Sequence, residues 1–371
     1  MVKRIGVIGG GQLAWMMAQE AEKLGIELIV QTPCANDPAV TIASKTIFAA
    51  IDDATATAQL ADRCDLITFE NEFVNLDALS LLERQGVCFR PSLSALKPLL
   101  DKYDQRCYLR SLGLPTPEFT PYWTELVRDF PIVLKTRRHG YDGQGTCIIR
   151  NESALVAALK TLGDRPLLLE AFIPFERELA VIAARSVTGE IAIYPLVETQ
   201  QEQQVCRRVF APAKVAASVT AEAEAIAQTL LTSLQFVGVL GIELFLTADG
   251  TLLVNEMAPR THNSGHFSLD ACATSQFEQQ LRAVAGLPLG EVALRSPAAV
   301  MVNLLGYEQS HSDYYQQRQQ FAALPQTFVH WYGKTESRPG RKLGHVTALV
   351  ESEAAAIGLA HHIEALWYPI A

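Results

Sequence analysis

Three consecutive glycines, Gly9-Gly10-Gly11, join an apolar run to a helical pattern, and this junction constrains the fold more than any other feature of the chain. Arg4 to Ile8 reads as a buried strand. From Gln12 to Leu24, apolar Leu13, Met16, Met17 and Leu24 recur at helical spacing, with Ala18 and Ala21 between them. Glu27 to Val30 reads as the next strand, Ala54 to Ala61 as a helix and Leu66 to Phe69 as a further strand. Strand and helix alternate to about Phe89, the pattern of a doubly wound, mostly parallel sheet.

Pro91 to Pro98 breaks that pattern. A helix around Asp101 to Ser111 follows, and Gly113-Leu114-Pro115-Thr116-Pro117 reads as a boundary. The next region is β-rich, with strands expected at Ile132–Lys135, Thr146–Ile149, Leu167–Glu170, Leu179–Ala183 and Ile191–Val197, and a helix at Ser153–Leu162. Ala221 to Leu234 predicts a long helix, with Ile226, Leu230 and Leu234 on one stripe and Thr220 as N-cap.

Composition narrows the function classes. The chain has 371 residues, room for two or three domains, and its 49% apolar and 19% charged residues exclude wholesale disorder. Its net charge of −9 speaks against a general nucleic-acid binder, which needs a basic footprint, yet leaves room for a local phosphate pocket. The seven cysteines form no CxxC motif, which suits free thiols in a reducing cytosol. No apolar run approaches the roughly eighteen residues of a membrane span, and the N-terminal residues do not have the pattern of a signal peptide. The expected location is the cytoplasm, with no membrane partner.

Gly9 to Ala14 satisfies the dinucleotide fingerprint G-x-G-x-x-A, but the second strand ends Val30-Gln31-Thr32-Pro33, without the acid that holds a nicotinamide ribose. Two readings remain: a phosphate-binding turn at a helix N-terminus, or a tight connection that binds nothing. His139 to Thr146 is a glycine-rich loop between strands, with Lys135 on the strand face opposite Ile132 and Leu134. It reads as a nucleotide lid or as an ordinary hairpin.

The strongest chemical signal is a hairpin. Asp249-Gly250 is a favoured two-residue turn. Ala248 would then pair with Thr251, and the same register sets Glu243 opposite Glu256. Like charges directly opposed are destabilising. A divalent cation between them removes that penalty, and hard oxygen ligands suit Mg²⁺ carrying phosphates. Asn255 would add an amide oxygen if the backbone distorts there. The other reading is a solvated edge with both acids in water. A dense polar run, Asn255 to His266, follows. His262 and His266 have metal-ligand spacing only on a helix, which Pro259, Ser264 and Gly265 oppose, so they read as hydrogen-bonding groups. Arg338-Pro339-Gly340-Arg341-Lys342-Leu343-Gly344-His345, with Lys334 nearby, is a basic cluster that reads as an anion site or a solvated turn.

Together these stretches resemble one family, the N5-carboxyaminoimidazole ribonucleotide synthetases, ATP-grasp ligases of purine biosynthesis in bacteria, fungi and plants. The resemblance spans nearly the whole chain. It implies an α/β ATP-grasp fold: a Rossmann-like unit at 1–98, a linker helix and lid at 99–183, and a C-terminal ATP-grasp unit at 184–371. It places Lys102, Lys135, Gly140, Tyr141, Asp142, Gly143, Gln144, Gly145, Thr146, Glu178, Gln201, Asn255 and Glu256 around ATP, with Glu170, Ala171, Phe172 and Ile173 as the hinge reading adenine. Glu243 and Glu256 would bind Mg²⁺ or Mn²⁺. Gly11, Gln12, Leu13, Glu70, Glu72, Arg260, His262, Asn263, Lys334, Arg341 and Lys342 would surround the ribonucleotide. Tyr141, Asp142, Arg260 and Lys334 would serve catalysis.

The implied reaction joins 5-aminoimidazole ribonucleotide and bicarbonate at the expense of ATP, through carboxyphosphate, in a homodimer. Gln144 stands where many members carry a cation, Glu70-Asn71-Glu72 where they carry Glu-Phe-Glu, and Gln201 where some have His. The rival readings are another ATP-grasp ligase, a nicotinamide oxidoreductase and an inactive nucleotide-binding regulator.

Overall fold

The computed structural model describes residues 2–122, 129–138, 140 and 145–368. The first unit alternates β1 (Arg4–Ile8), α1 (Gln12–Ala21), β2 (Glu27–Thr32), β3 (Lys45–Phe48), α2 (Ala54–Ala61), β4 (Leu66–Phe69), α3 (Leu76–Arg84) and α4 (Leu93–Leu96). Its strands are parallel, in the order β3-β2-β1-β4. Successive strand residues point to opposite faces. Ile5, Val7, Leu28 and Val30 therefore meet Leu13, Met16 and Met17 of α1, while Ile8, Ile29, Ile67 and Phe69 meet Leu60, Leu79 and Leu93. Asp53 and Asn75 cap α2 and α3 by accepting from orphan amides of the first turn.

Next comes α5 (Lys102–Ser111), started by Asp101, whose carboxylate accepts from the amides of Tyr103 and Asp104. A four-stranded antiparallel sheet follows, built from β5 (Phe119–Pro121), β6 (Ile132–Thr136), β7 (Thr146–Ile149) and β8 (Leu167–Ala171) in the order β5-β8-β6-β7. Helix α6 (Glu152–Leu162) lays Leu155, Ala158 and Leu162 on Ile132, Leu134 and Ile149. Period-two alternation then turns Lys135 to the other face.

The largest sheet contains β9 (Phe175–Arg185), β10 (Ile191–Ile193), β11 (Val197–Glu202), β12 (Val205–Ala211), then after α7 (Ala217–Ser233) β13 (Gly238–Thr247) and β14 (Leu252–Ala258). After α8 (Ser268–Ala271) and α9 (Gln276–Ala285) come β15 (Ala298–Leu305), α10 (Tyr315–Ala322), β16 (Thr327–Trp331), β17 (Lys342–Val350) and α11 (Glu353–Trp367). The strand order is β14-β13-β9-β11-β12-β15-β17-β16, with β10 on the side of β9. The expected division between 183 and 184 falls inside β9. Among the described residues no helix is long and apolar enough to cross a membrane.

Two expectations are corrected here. Ile191–Val197 is two strands, parted where Tyr194 turns inward and donates its hydroxyl to the carbonyl of Thr274 at 3.0 Å. Thr220 is not an N-cap: α7 starts at Ala217 behind Ala216, with no side-chain cap. Val219 and Ala223 extend the buried stripe of Ile226 and Leu230 by a turn, and this apolar burial outweighs a cap at Thr220.

Helix α9 joins the first sheet to the third. Phe277, Leu281 and Val284 pack into the core around α1. Gln280 donates to Thr68 Oγ1 at 2.8 Å and accepts from the amide of Val239 at 2.6 Å. Arg90 donates to the carbonyl of Val284. This clamp sets the glycine turn of β1 beside the polar run after β14.

Candidate active site

Glu243 and Glu256 are cross-strand partners. The route to that pairing differs from the one expected. Leu246 pairs with Leu252 and Leu244 with Val254, so the turn is a three-residue loop rather than a two-residue one. The ladder then slips between Glu243 and Leu244, with Asn255 as the extra residue. A bulge reverses which face each following residue takes. Leu252, Val254 and Met257 all enter the core with Leu244 and Ile242, while Glu256 joins Glu243 on the cleft face.

The same face of β9 carries Glu178, the cross-strand partner of Phe245. Burial, then the charge of Glu243, pushes the Glu178 carboxyl up to about 7. Its Oε2 is buried with no hydrogen-bond partner among the described residues, so it is suited to a hydroxyl donor. Glu243 is likewise raised to about 7 by burial and by Glu256. Glu256 goes the other way: burial opposes its charge, but Lys102 at 2.5 Å overcomes that and lowers it. Asn255 donates to Glu243 at 3.3 Å and accepts from Lys135 at 3.1 Å. These are hard oxygen donors, which fit Mg²⁺ or Mn²⁺. Among the described residues no group of three His, Cys, Asp or Glu side chains is placed to hold a metal, so phosphate oxygens would have to complete its shell.

Helix α5 supports this cluster. Lys102, Gln105 and Arg106 lie at i, i+3 and i+4 on one face. Arg106 Nε binds Glu170 at 2.6 Å and Nη2 binds the carbonyl of Asn255 at 2.6 Å. Lys135 binds the other Glu170 oxygen at 2.8 Å. Gln105 holds the main chain of Met257 from both sides, accepting its amide at 3.1 Å and donating to its carbonyl at 3.0 Å. The bulged strand is thus held in place by side chains from the helix.

The first unit reaches the same cleft. Glu72 and Arg260 form a two-bond ion pair at 2.6 and 3.1 Å. Glu72, Lys102, Arg137, Arg138 and Glu256 line one cavity. Gln12 accepts from Lys334 at 2.8 Å, and Lys334 also donates to the carbonyl of Lys342 at 2.7 Å. Arg341, partly exposed, donates to the carbonyl of Glu336 at 2.8 Å. His262 lies with Nε2 3.5 Å from Glu243 Oε1. Burial, then Arg260 and Lys342, brings its pKa down to about 4, so it is neutral at pH 7.

The chain matches three family models: a ribonucleotide synthetase preATP-grasp domain over residues 2–98, an ATP-grasp domain over 108–277, and a phosphoribosylaminoimidazole carboxylase C-terminal domain over 299–358. It is 57% identical to the N5-carboxyaminoimidazole ribonucleotide synthase of Synechococcus elongatus, over 99% of this chain and 96% of that one. The chain belongs to the N5-carboxyaminoimidazole ribonucleotide synthase family. A solved family structure from Aspergillus clavatus complexed with ATP superposes with a TM-score of 0.91 at 31% identity, covering 98% of each chain. Another from that fungus, in complex with ADP and 5-aminoimidazole ribonucleotide, gives 0.90 at 31% identity and the same coverage.

Not every residue expected from the family resemblance meets the cleft by its side chain. Leu13 is buried in the core around α1. Asn263 is spent on a reciprocal amide pair with Asn303, at 3.0 and 2.8 Å. Glu70 turns to the glycine turn: it accepts from the amides of Gly11 and Leu13, and a Cβ on Gly9 or Gly11 would stand 2.4 Å from its carboxylate. Burial raises the Glu70 pKa against the opposing pull of Arg260 and these amides. Gln201 sits at an irregularity of β11, opposite Cys206. Ala171, Phe172 and Ile173 link β8 to β9, and Gly140, Gly145 and Thr146 flank the loop of the β6–β7 hairpin. Tyr141, Asp142, Gly143 and Gln144 lie outside the described residues. Sequence reading missed Arg106, Gln105 and Arg137, although the i, i+4 spacing of Arg106 from Lys102 carried the signal.

Proposed function

We propose that the chain converts 5-aminoimidazole ribonucleotide, bicarbonate and ATP into N5-carboxyaminoimidazole ribonucleotide, ADP and phosphate, in purine biosynthesis. The observation that carries this reading is one cleft in which Glu256 with Lys102 meets Glu72 with Arg260, so that a metal-nucleotide half adjoins a ribonucleotide half.

In this reading Lys102 and Lys135 meet the phosphates and Glu178 holds the ribose, with 170–173 as the adenine hinge and Gln201 nearby. Glu243 and Glu256 would hold Mg²⁺ or Mn²⁺, with Asn255 beside them at the nucleotide. When bound, that ion neutralises the charge spread over the transferring phosphoryl group. A bicarbonate oxygen attacks the γ-phosphorus, ADP leaves, and carboxyphosphate forms. The exocyclic amine of the ribonucleotide then bonds to the carboxyl carbon, phosphate departs, and the amine loses a proton. Arg260, His262, Lys334, Arg341 and Lys342 surround the ribonucleotide, with Gln12 and Glu72 from the first unit. Neutral His262 offers a hydrogen bond without a second full charge beside Arg260. Water has to be kept from the site, because it destroys carboxyphosphate. A cytoplasmic homodimer belongs to this proposal; no disulfide joins any of the seven cysteines among the described residues, which suits a reducing compartment.

The test is ADP release in bicarbonate buffer, with and without 5-aminoimidazole ribonucleotide. Ribonucleotide-dependent release supports the reading. Release that ignores both bicarbonate and ribonucleotide would assign the site to another ATP-grasp ligase.

A further inference from the structure

Gln276, on the first turn of α9, is fully buried and has no part in the site as described so far. Its amide grips both main-chain groups of His262. Oε1 accepts from the His262 amide at 2.9 Å, and Nε2 donates to the His262 carbonyl at 2.7 Å. Those two bonds fix the orientation of the amide without appeal to any tautomer. The same Nε2 reaches His266 Nδ1 at 3.1 Å. Gly265 leaves the space for it, since a Cβ there would lie 2.6 Å from Gln276 Oε1.

This grip replaces a missing ladder. Past Ala258 the chain leaves β14, and among the described residues no strand pairs with His262, whose carbonyl otherwise accepts only from the Gly265 amide at 3.0 Å. A buried amide that exchanges two bonds with one residue does what a strand partner does. The imidazole is then set from two further sides. A Cβ on Gly241 would lie 2.7 Å from His262 Cβ, so only the bare backbone of β13 fits there, and Nδ1 lies 2.9 Å from Ser264 Oγ and 3.4 Å from the Ser264 amide nitrogen. Nε2 then faces Glu243 Oε1 at 3.5 Å. Helix α9 is itself clamped to the first sheet through Gln280 and Thr68. The helix that holds His262 is thus referenced to the unit that carries Gln12 and Glu72.

We infer that Gln276 is a positioning residue of the ribonucleotide half of the site, acting through the main chain of His262. This rests on the proposed function above. Loss of Gln276 should misplace one polar contact to the ribonucleotide and leave the nucleotide half, built on α5 and the β13–β14 hairpin, in place.

The experiment is steady-state ADP release for Gln276→Ala, His262→Ala and the double variant, varying ATP and 5-aminoimidazole ribonucleotide separately. Gln276→Ala should raise the KM for the ribonucleotide by about tenfold or more, the factor that 1.4 kcal/mol represents. Its KM for ATP should stay near the wild-type value. The double variant should match His262→Ala to within about twofold, because a residue acting through a lost side chain has nothing left to add. A ribonucleotide effect that persists undiminished in the His262→Ala background would make Gln276 a packing residue and overturn the inference, as would a parallel rise in both KM values. If Gln276→Ala shows no cooperative melt, Gln276→Glu decides: it keeps an acceptor for the His262 amide but loses the donors, and wild-type ribonucleotide KM would overturn the inference. Wild-type protein without ribonucleotide-dependent ADP release would sink the functional reading before any variant is compared, and this inference with it.

Discussion

Lys102 Nζ lies 2.5 Å from Glu256 Oε2. The lysine supplies the charge that the opposed carboxylates need, and it keeps Glu256 ionised while Glu243 is raised to about 7. Lys102→Met should raise the Glu256 pKa and weaken nucleotide use. The expected result is a KM for ATP up by about tenfold or more, with the KM for ribonucleotide unchanged. Unchanged ATP kinetics would remove Lys102 from the phosphate contacts.

Glu243 makes the metal-free protein pH-sensitive. Its folded value of about 7 exceeds the reference value of 4.5. A carboxyl that holds its proton more tightly when folded stabilises fully below the unfolded value and loses that contribution as pH rises through the folded one. Glu243→Gln should therefore raise the melting temperature at pH 8 relative to wild type, with little change near pH 4. The same variant should abolish ATP turnover, since a ligand for the cation is lost. Thermal melts across pH and ADP release check both halves. Near-normal turnover would withdraw the metal assignment.

Glu170 behaves with the opposite sign. Burial opposes its charge, but Lys135 and Arg106 hold its carboxyl down to about 2. Its contribution is full above 4.5 and fades as pH falls from there toward 2. Glu170→Gln leaves two buried cations short of a partner. Breaking such a buried pair costs about 3–5 kcal/mol. The variant should melt well below wild type at pH 7, and the gap should narrow in acid. Equal melting at pH 7 would show that the pair contributes nothing.

Arg341 tests the ribonucleotide half. A charge-assisted hydrogen bond is worth about 1.5–3 kcal/mol, so Arg341→Ala should weaken ribonucleotide use by about 10- to 150-fold. The metal cluster and α5 are untouched, so the KM for ATP should hold. Kinetics in which ATP rather than ribonucleotide suffers would move the basic cluster to the nucleotide half.

The sequence by itself determined what depends on neighbours along the chain. The parallel first sheet was legible because β1 is a short continuous apolar run, buried on both faces, and the apolar residues of α1 recur at helical spacing, which are local facts. The pairing of Glu243 with Glu256 was legible as an outcome but not as a mechanism. A β-bulge has no signal in a hydrophobic pattern, and the expected uninterrupted register would have sent Leu253 rather than Val254 into the core. Only tertiary structure decided that Asn255 bulges, because Gln105 and Arg106 of α5 hold the carbonyls on either side of Glu256 from some 150 residues away. The same holds for Glu70 and Glu72. Two acids two residues apart look equivalent in sequence. The fold gives Glu70 to the amides of Gly11 and Leu13 and Glu72 to Arg260, so burial raises the first carboxyl while the guanidinium lowers the second, because the available partners lie on different elements. Gln276 had no visible role for the same reason: the residue it holds is a neighbour only once α9 has packed between the two sheets.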